Sequence, residues 1–216
     1  MIARTVVPRT GRIKETEKII ISLQPTQVIE IGAGDYSFDY LIPKIKQPVS
    51  WQKVDFSPPC DIQMDLNLEK VTIPIPDNSQ DIIIATEVFE HLLWPQSILD
   101  ECRRILKPGG TILISVPNAV SLTYRIKWLM GGLPSCAACG NLPKLFGPTV
   151  YEKIEGGTIA GHVIDFNANR IKKLVTYKKF ISVKFYGTGI FWHFQIVPTW
   201  LLPYWLSSNL LLTAIK

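Results

Sequence analysis

The sequence predicts an α/β fold, a mostly parallel sheet with helices on both faces and one long insertion. Three observations lead there. Short β-branched runs end at a glycine or a polar residue: "VIEI" (28–31), "DIIIAT" (81–86) and "TILISV" (111–116). Stretches with apolar residues at helical spacing alternate with these runs, as in sheets built from parallel crossovers. One segment, 122–157, is rich in Gly, Pro and Cys and keeps no period.

From Thr10 to Leu23, Ile13, Ile19, Ile20 and Leu23 fall at helical spacing and predict a leading helix. Val28–Ile31 is the first strand. Ser37–Ile45 is a short helix ended near Pro48, and Val49–Phe56 a strand carrying Asp55 at its end. Asp81–Thr86 is too short and isoleucine-rich for a helix, so it reads as a buried strand. Pro95 suits the first turn of an amphipathic helix that runs to Leu106, where Pro108-Gly109-Gly110 stops it. Thr111–Val116 is a strand, Arg170–Tyr177 a helix, and Phe180–Tyr186 and Asn209–Ile215 are late strands that turn the sheet edge antiparallel. Residues 1–216 read as one domain. The aperiodic stretch at about 122–157 reads as an inserted lid or cap.

Composition narrows the function classes. With 47% hydrophobic and 19% charged residues the chain is not disordered. The net charge of +5 is spread thinly, and its densest patches are the pairs Arg103-Arg104 and Lys178-Lys179. These read as solvated faces, with weak attraction to an anionic substrate or membrane surface left open. No basic track with interleaved aromatics points to nucleic acid. Cys136-Ala-Ala-Cys139 has no second pair to complete a zinc site, so the four cysteines read as reduced thiols in a cytoplasmic protein. Early charges (Arg4, Arg9, Arg12, Lys14) do not fit a signal peptide. Pro198 and Pro203 break the oily C-terminal stretch, which argues against a spanning helix and for a buried strand. Peripheral docking on a membrane or an apolar acceptor stays open, as does the oligomeric state.

"VIEIGAGDYSF" (28–38) carries the main chemical signal. A strand ending at Glu30, then Gly32 and Gly34, brings backbone close to a ligand where a side chain would block it. The carboxylate of Glu30 disfavours a pyrophosphate and suits a ligand with an amine or cation. Tyr36 stands where many nucleotide loops have a third glycine. Asp55, at the end of the second strand, can accept both hydroxyls of a ribose. Asp65 in "QMDLN" can accept from an adenine amino group. Either aspartate alone would read as a solvated strand-end acid; together with Glu30 they suggest a nucleoside site.

The chain resembles the class I S-adenosylmethionine-dependent methyltransferases. "VIEIGAGDYSF" is similar to their first motif and "KVDFS" to their ribose-binding strand. "IPDNSQDIIIATEVFEHL" resembles their fourth-strand segment, and "ECRRILKPGGTILISVPN" their late helix–turn–strand signature. The likeness runs from about Thr26 to Asn118, and "GHVIDFNANRIKKLV" extends it to about Val175. It implies a Rossmann-like, seven-stranded sheet. It implies S-adenosylmethionine contacts by Gly32, Ala33, Gly34, Asp55, Phe56, Asp65, Leu66, Thr86 and Glu87, with Glu30 ordering the loop or meeting the methionyl amine. Tyr36 then falls past the tightest approach, at the start of the following helix.

"EVFEH" supplies Glu87, Glu90 and His91, which a helical turn would put on one face, just past the fourth strand where a methyl acceptor belongs. Two carboxylates and an imidazole can bind Mg²⁺ or Mn²⁺. The motif is similar to the Glu-x-x-Glu-His metal motif of ubiquinone-biosynthesis O-methyltransferases. It is also similar to that of small-RNA 2′-O-methyltransferases, which add a later histidine. The resemblance makes Glu87, Glu90, His91 and His162 candidate ligands. Without a metal, His91 is the candidate general base, beside Glu90, or a residue that only packs. His193, between Trp192 and Phe194, reads as packed.

The leading expectation is methyl transfer to an oxygen of a small-molecule acceptor. An RNA 2′-O-methyltransferase would show a salt-dependent affinity for RNA. A non-catalytic cofactor-binding partner protein would form no product.

Overall fold

The structure is a computed structural model that describes residues 11–34, 37–132, 162–192, 194–197 and 203–216. Tyr36, Cys136, Cys139, His193 and most of the expected lid lie outside the described residues.

The chain begins with α1 (Gly11–Leu23) and enters β1 (Gln27–Ile31). A 3-10 helix over Phe38–Lys44 follows, then β2 (Ser50–Asp55), the two-residue β3 (Ile62–Gln63) and β4 (Gln80–Thr86). Next come α2 (Pro95–Ile105), β5 (Leu106–Pro117) and α3 (Leu122–Leu129). After the undescribed stretch, α4 (Ala168–Tyr177) leads to β6 (Ile181–Tyr186), the hairpin β7 (Ile190–Trp192) and β8 (Phe194–Val197), and β9 (Asn209–Ile215). Seven strands form one sheet in the order β3-β2-β1-β4-β5-β9-β6. All neighbours pair parallel except β9, which runs antiparallel between β5 and β6.

The period-two pleat sorts the sheet's side chains into two layers. Ile29, Ile31, Ile83, Ile112, Ile114 and Leu212 pack with Ile98, Leu99 and Ile105 of α2 and Ile171 and Val175 of α4. Val28, Ile82, Ile84, Leu113 and Leu211 pack on the opposite face with Ile19 and Ile20 of α1 and Phe38 and Leu41. β1, β4 and β9 are buried on both faces, which is why they read as continuous apolar runs.

Three elements differ from expectation. Pro108-Gly109-Gly110, expected to separate the helix from a strand starting at Thr111, lies inside the strand itself. β5 starts at Leu106, and its register with β4 jumps from Gln80↔Leu106 to Ile82↔Thr111 around a bulge. Gly109 has φ +79°, and a Cβ on Gly110 would stand 2.9 Å from the Lys107 carbonyl oxygen, so both glycines belong to the bulge. The link between β6 and β9 holds a hairpin. α3, in the stretch without a period, buries no side chain, so no apolar stripe was needed to form it. No helix among the described residues is long and apolar enough to cross a membrane.

Asp81 fastens the amino end of the sheet. One carboxylate oxygen accepts from the Thr26 amide (2.8 Å), the Thr26 hydroxyl (2.6 Å) and the Gln27 amide (3.0 Å), and the other pairs with Lys107 of the bulge. Partial burial opposes ionisation, but these donors prevail and hold the carboxyl well below the usual carboxylate range. Asp81→Ala is expected to cost about 2 kcal/mol in urea unfolding at pH 7, because it strips a charged acceptor from several donors. The loss should shrink as pH falls below about 4, where the group takes up a proton in the unfolded chain while it stays ionised in the folded one.

Candidate functional site

The carboxyl ends of β1, β2, β4 and β5 meet at one edge, where ligands bind in open α/β sheets. β1 leaves the sheet through Gly32, whose amide donates to the Val54 carbonyl (2.8 Å) with φ +65°. A Cβ there would stand 2.4 Å from Cγ2 of Val88. Gly32→Ala is therefore expected to lower stability by about 1–3 kcal/mol, read as a drop in thermal midpoint. Gly34 also has positive φ, but among the described residues no atom lies within 4 Å of where a Cβ would stand. Ala33 between them is buried.

Glu30 lies beneath this loop with 1% of its surface exposed. Its carboxylate accepts from the Ser37 hydroxyl (2.6 Å), the Phe38 amide (3.0 Å) and the Trp51 indole N–H (2.9 Å). Burial pushes its carboxyl up to about 7 despite those donors. Of the two roles open to it, the observed contacts are those of a loop anchor. Asp55 receives the Gly34 amide on Oδ2 (2.8 Å) and the Ser57 amide on Oδ1 (3.1 Å). Each carboxylate oxygen retains a lone-pair site for a further donor. Phe56 beside it is half-buried. Asp65 Oδ1 accepts from the Asn67 amide (2.7 Å), and Leu66 is buried in the core. Thr86 is half-buried at the end of β4.

After β4 the chain does not enter a helical turn at once. Glu87 adopts φ +57°, its amide donates to the Ser115 carbonyl, and a 3-10 turn covers only Phe89–His91. The left-handed residue breaks the expected single face. The Glu87 carboxylate accepts from the Ser115 hydroxyl (2.8 Å) and the Asn209 amide (3.0 Å), and lies 3.9 Å from the Arg12 guanidinium. It does not join the other expected metal ligands.

Those three do converge. The Glu90 carbonyl accepts from the amides of Val163 (2.7 Å) and Ile164 (3.1 Å), which fixes the residue before them, His162, against the turn. The His91 and His162 rings meet edge to face at 4.9 Å between centroids. One donor atom from each of Glu90, His91 and His162 lies within 4.8 Å of the others. Both carboxylate oxygens of Glu90 are buried without a hydrogen-bond partner among the described residues. Burial, then the neighbouring Glu87 charge, push its carboxyl well above the usual range. Such a group needs a proton or a cation. A cluster of two imidazoles and one carboxylate fits a divalent ion of the Mn²⁺ kind better than the oxygen-seeking Mg²⁺.

Sequence reasoning missed the residues that link these parts. Asn67 donates to the His91 carbonyl (3.1 Å) and accepts from the Leu93 amide (2.7 Å), joining the Asp65 turn to the Glu90 turn. Ser115, a polar residue inside the apolar run 112–116, was a visible hint of the Glu87 network.

A family model described as a methyltransferase domain matches residues 26–114. The chain is similar to a ubiquinone biosynthesis O-methyltransferase of Maricaulis maris, 34% identical over 25% of this chain and 23% of that protein. It is also similar to the mitochondrial ubiquinone biosynthesis O-methyltransferase of Rattus norvegicus, 26% identical over 57% of this chain and 34% of that protein. The chain thus spans about a fifth to a third of the length of these and similar curated relatives. Among solved structures, an S-adenosylmethionine-dependent methyltransferase of Mesorhizobium loti superposes with a TM-score of 0.59. It is 13% identical and covers 96% of this chain and 99% of that one. A methyltransferase-domain match over residues 26–114, a seven-stranded sheet and a glycine loop at the end of β1 thus make the chain similar to S-adenosylmethionine-dependent methyltransferases, whose fold it shares.

Proposed function

We propose that this chain transfers the methyl group of S-adenosylmethionine to an oxygen of a small-molecule acceptor held at Glu90, His91 and His162. The observation that carries the reading is the buried Glu90 carboxylate, unpartnered among the described residues and facing two imidazoles beyond the glycine loop. Relatives named as ubiquinone biosynthesis O-methyltransferases favour oxygen as the acceptor atom. The exposed side chains of Trp128 and Leu129 on α3, just past the carboxyl end of β5, suit an apolar acceptor.

S-adenosylmethionine, when bound, supplies a methyl group activated on a positively charged sulfur. The open face of Gly34 would admit its backbone-hugging portion. Asp55 would accept the ribose hydroxyls on its remaining lone pairs, and Asp65 would face the adenine, with Thr86 lining the pocket between. Glu30 would act from below by holding the loop in register. Aligning two reactants in this way is worth roughly 7–11 kcal/mol. A divalent ion held by Glu90, His91 and His162 would acidify and orient the acceptor hydroxyl. Without the ion, neutral His91 would take the hydroxyl proton.

Calorimetric titration of S-adenosylhomocysteine with Mn²⁺, with Mg²⁺ and with chelator tests the reading, alongside product formation on a series of catechols. Asp55→Asn is expected to weaken S-adenosylhomocysteine about 10–100-fold, the worth of hydrogen bonds to a charged acceptor. An unchanged affinity would remove the glycine loop from the cofactor site. Product on catechols that chelator abolishes would support the metal cluster; binding without any product would favour a non-catalytic partner protein.

A further inference from the structure

The densest basic pairs of the chain, Arg103-Arg104 and Lys178-Lys179, lie far apart in sequence but line one cavity of about 490 Å³ with Asp100 and Tyr177. The cavity forms where α2 and α4 end and β5 and β6 begin. Both strands pair antiparallel to β9, so they run the same way, and the cavity lies at the amino ends of the strands, away from the glycine loop. Cations in last helical turns complement the helix dipole, which explains part of the clustering. Ion pairs explain more: Arg104 lies 2.8 Å from Glu101, and Lys178 lies 2.6 Å from Asp100.

Arg103 and Lys179 remain. Neither has an acidic partner among the described residues. Nε of Arg103 is buried with no hydrogen-bond partner among the described residues, so the fold leaves the guanidinium charge uncompensated there, and an anion in the cavity that Arg103 lines would compensate it. Lys216 adds positive charge nearby. Partial burial, then the charge of Arg103, hold its ammonium below the ordinary lysine range. Tyr177 offers an exposed ring at the rim. The volume suits a small molecule. A single cavity is not the continuous basic groove that a nucleic acid strand follows.

We propose that this cavity binds a soluble phosphate monoester carrying a ring, with the phosphate on Arg103 and Lys179 and the ring on Tyr177. A guanidinium and an ammonium together match the several acceptor oxygens of a phosphoryl group better than those of a carboxylate. The inference does not rest on the methyl-transfer reading.

The test is calorimetric titration of phenyl phosphate into the full chain at low salt, with excess S-adenosylhomocysteine to block the glycine loop. Millimolar or tighter binding is expected, stronger than for benzoate and about tenfold weaker in Arg103→Gln and in Lys179→Gln. Lys179 is exposed, so its variant keeps the test valid if Arg103→Gln fails to fold. No binding of phenyl phosphate, or equal binding by wild type and both folded variants, would overturn the proposal. So would retention only on phosphatidate vesicles or on single-stranded RNA.

Discussion

His91→Ala is expected to slow methyl transfer at saturating acceptor by about 10²–10⁴-fold while changing S-adenosylhomocysteine affinity less than about twofold. The separation follows from position. His91 faces His162 and Glu90, whereas the glycine loop and Asp55 lie at the ends of β1 and β2. Glu90→Gln and His162→Ala should share the defect if the three groups hold a metal, and all three variants should lose Mn²⁺ binding, measured by water proton relaxation. If His91 works alone as a base, His162→Ala should retain most of the rate.

Glu30 should make the fold less stable as pH rises from 5 to 8. Its carboxyl is raised from about 4.5 to about 7 in the folded chain, chiefly by burial. The folded state therefore holds the proton more tightly than the unfolded state. The stability this contributes is fully present below about 4.5 and is lost as pH climbs through about 7. A shift of that size corresponds to about 3 kcal/mol. Glu30→Gln should flatten this part of the profile in urea unfolding at pH 5, 6, 7 and 8. Glu30→Ala should be worse at every pH, since it leaves the Ser37 hydroxyl, the Phe38 amide and the Trp51 indole without their acceptor. An unchanged slope in Glu30→Gln would show that other groups set the pH dependence.

Buried parallel strands were legible because they have no polar face to interrupt them. β1, β4 and β9 stood out as apolar runs, and α2 and α4 carried an amphipathic stripe. β3 was not legible: two residues leave no pattern. α3 left none either, because it packs no side chain into the core. That Glu30 and Asp55 fall at the carboxyl ends of β1 and β2 was legible. The contacts around the site were not, because hydrogen bonds such as Asn67 to His91 and Glu87 to Asn209 join residues that only the fold brings together. The grouping of Glu87 with Glu90 and His91 failed for a local reason. Spacings of three and four imply one face only on an unbroken helix, and the left-handed backbone at Glu87 breaks it.

The Asn67 side chain has a mechanical consequence. It grips the turn after β4 by two backbone atoms, the His91 carbonyl and the Leu93 amide, while the Asn67 backbone N–H donates to the Asp65 carboxylate. The Asp65 turn and the His91 turn, which we propose as the nucleoside and acceptor sides, are therefore mounted on one brace. Any ligand that shifts the Asp65 turn pulls on the turn that carries His91, and the reverse holds. Thermodynamic reciprocity then requires that whatever one ligand does to the affinity of the other is returned in equal measure. Asn67→Ala would cut the brace without touching either ligand's own contacts, and would let the two binding events proceed as strangers.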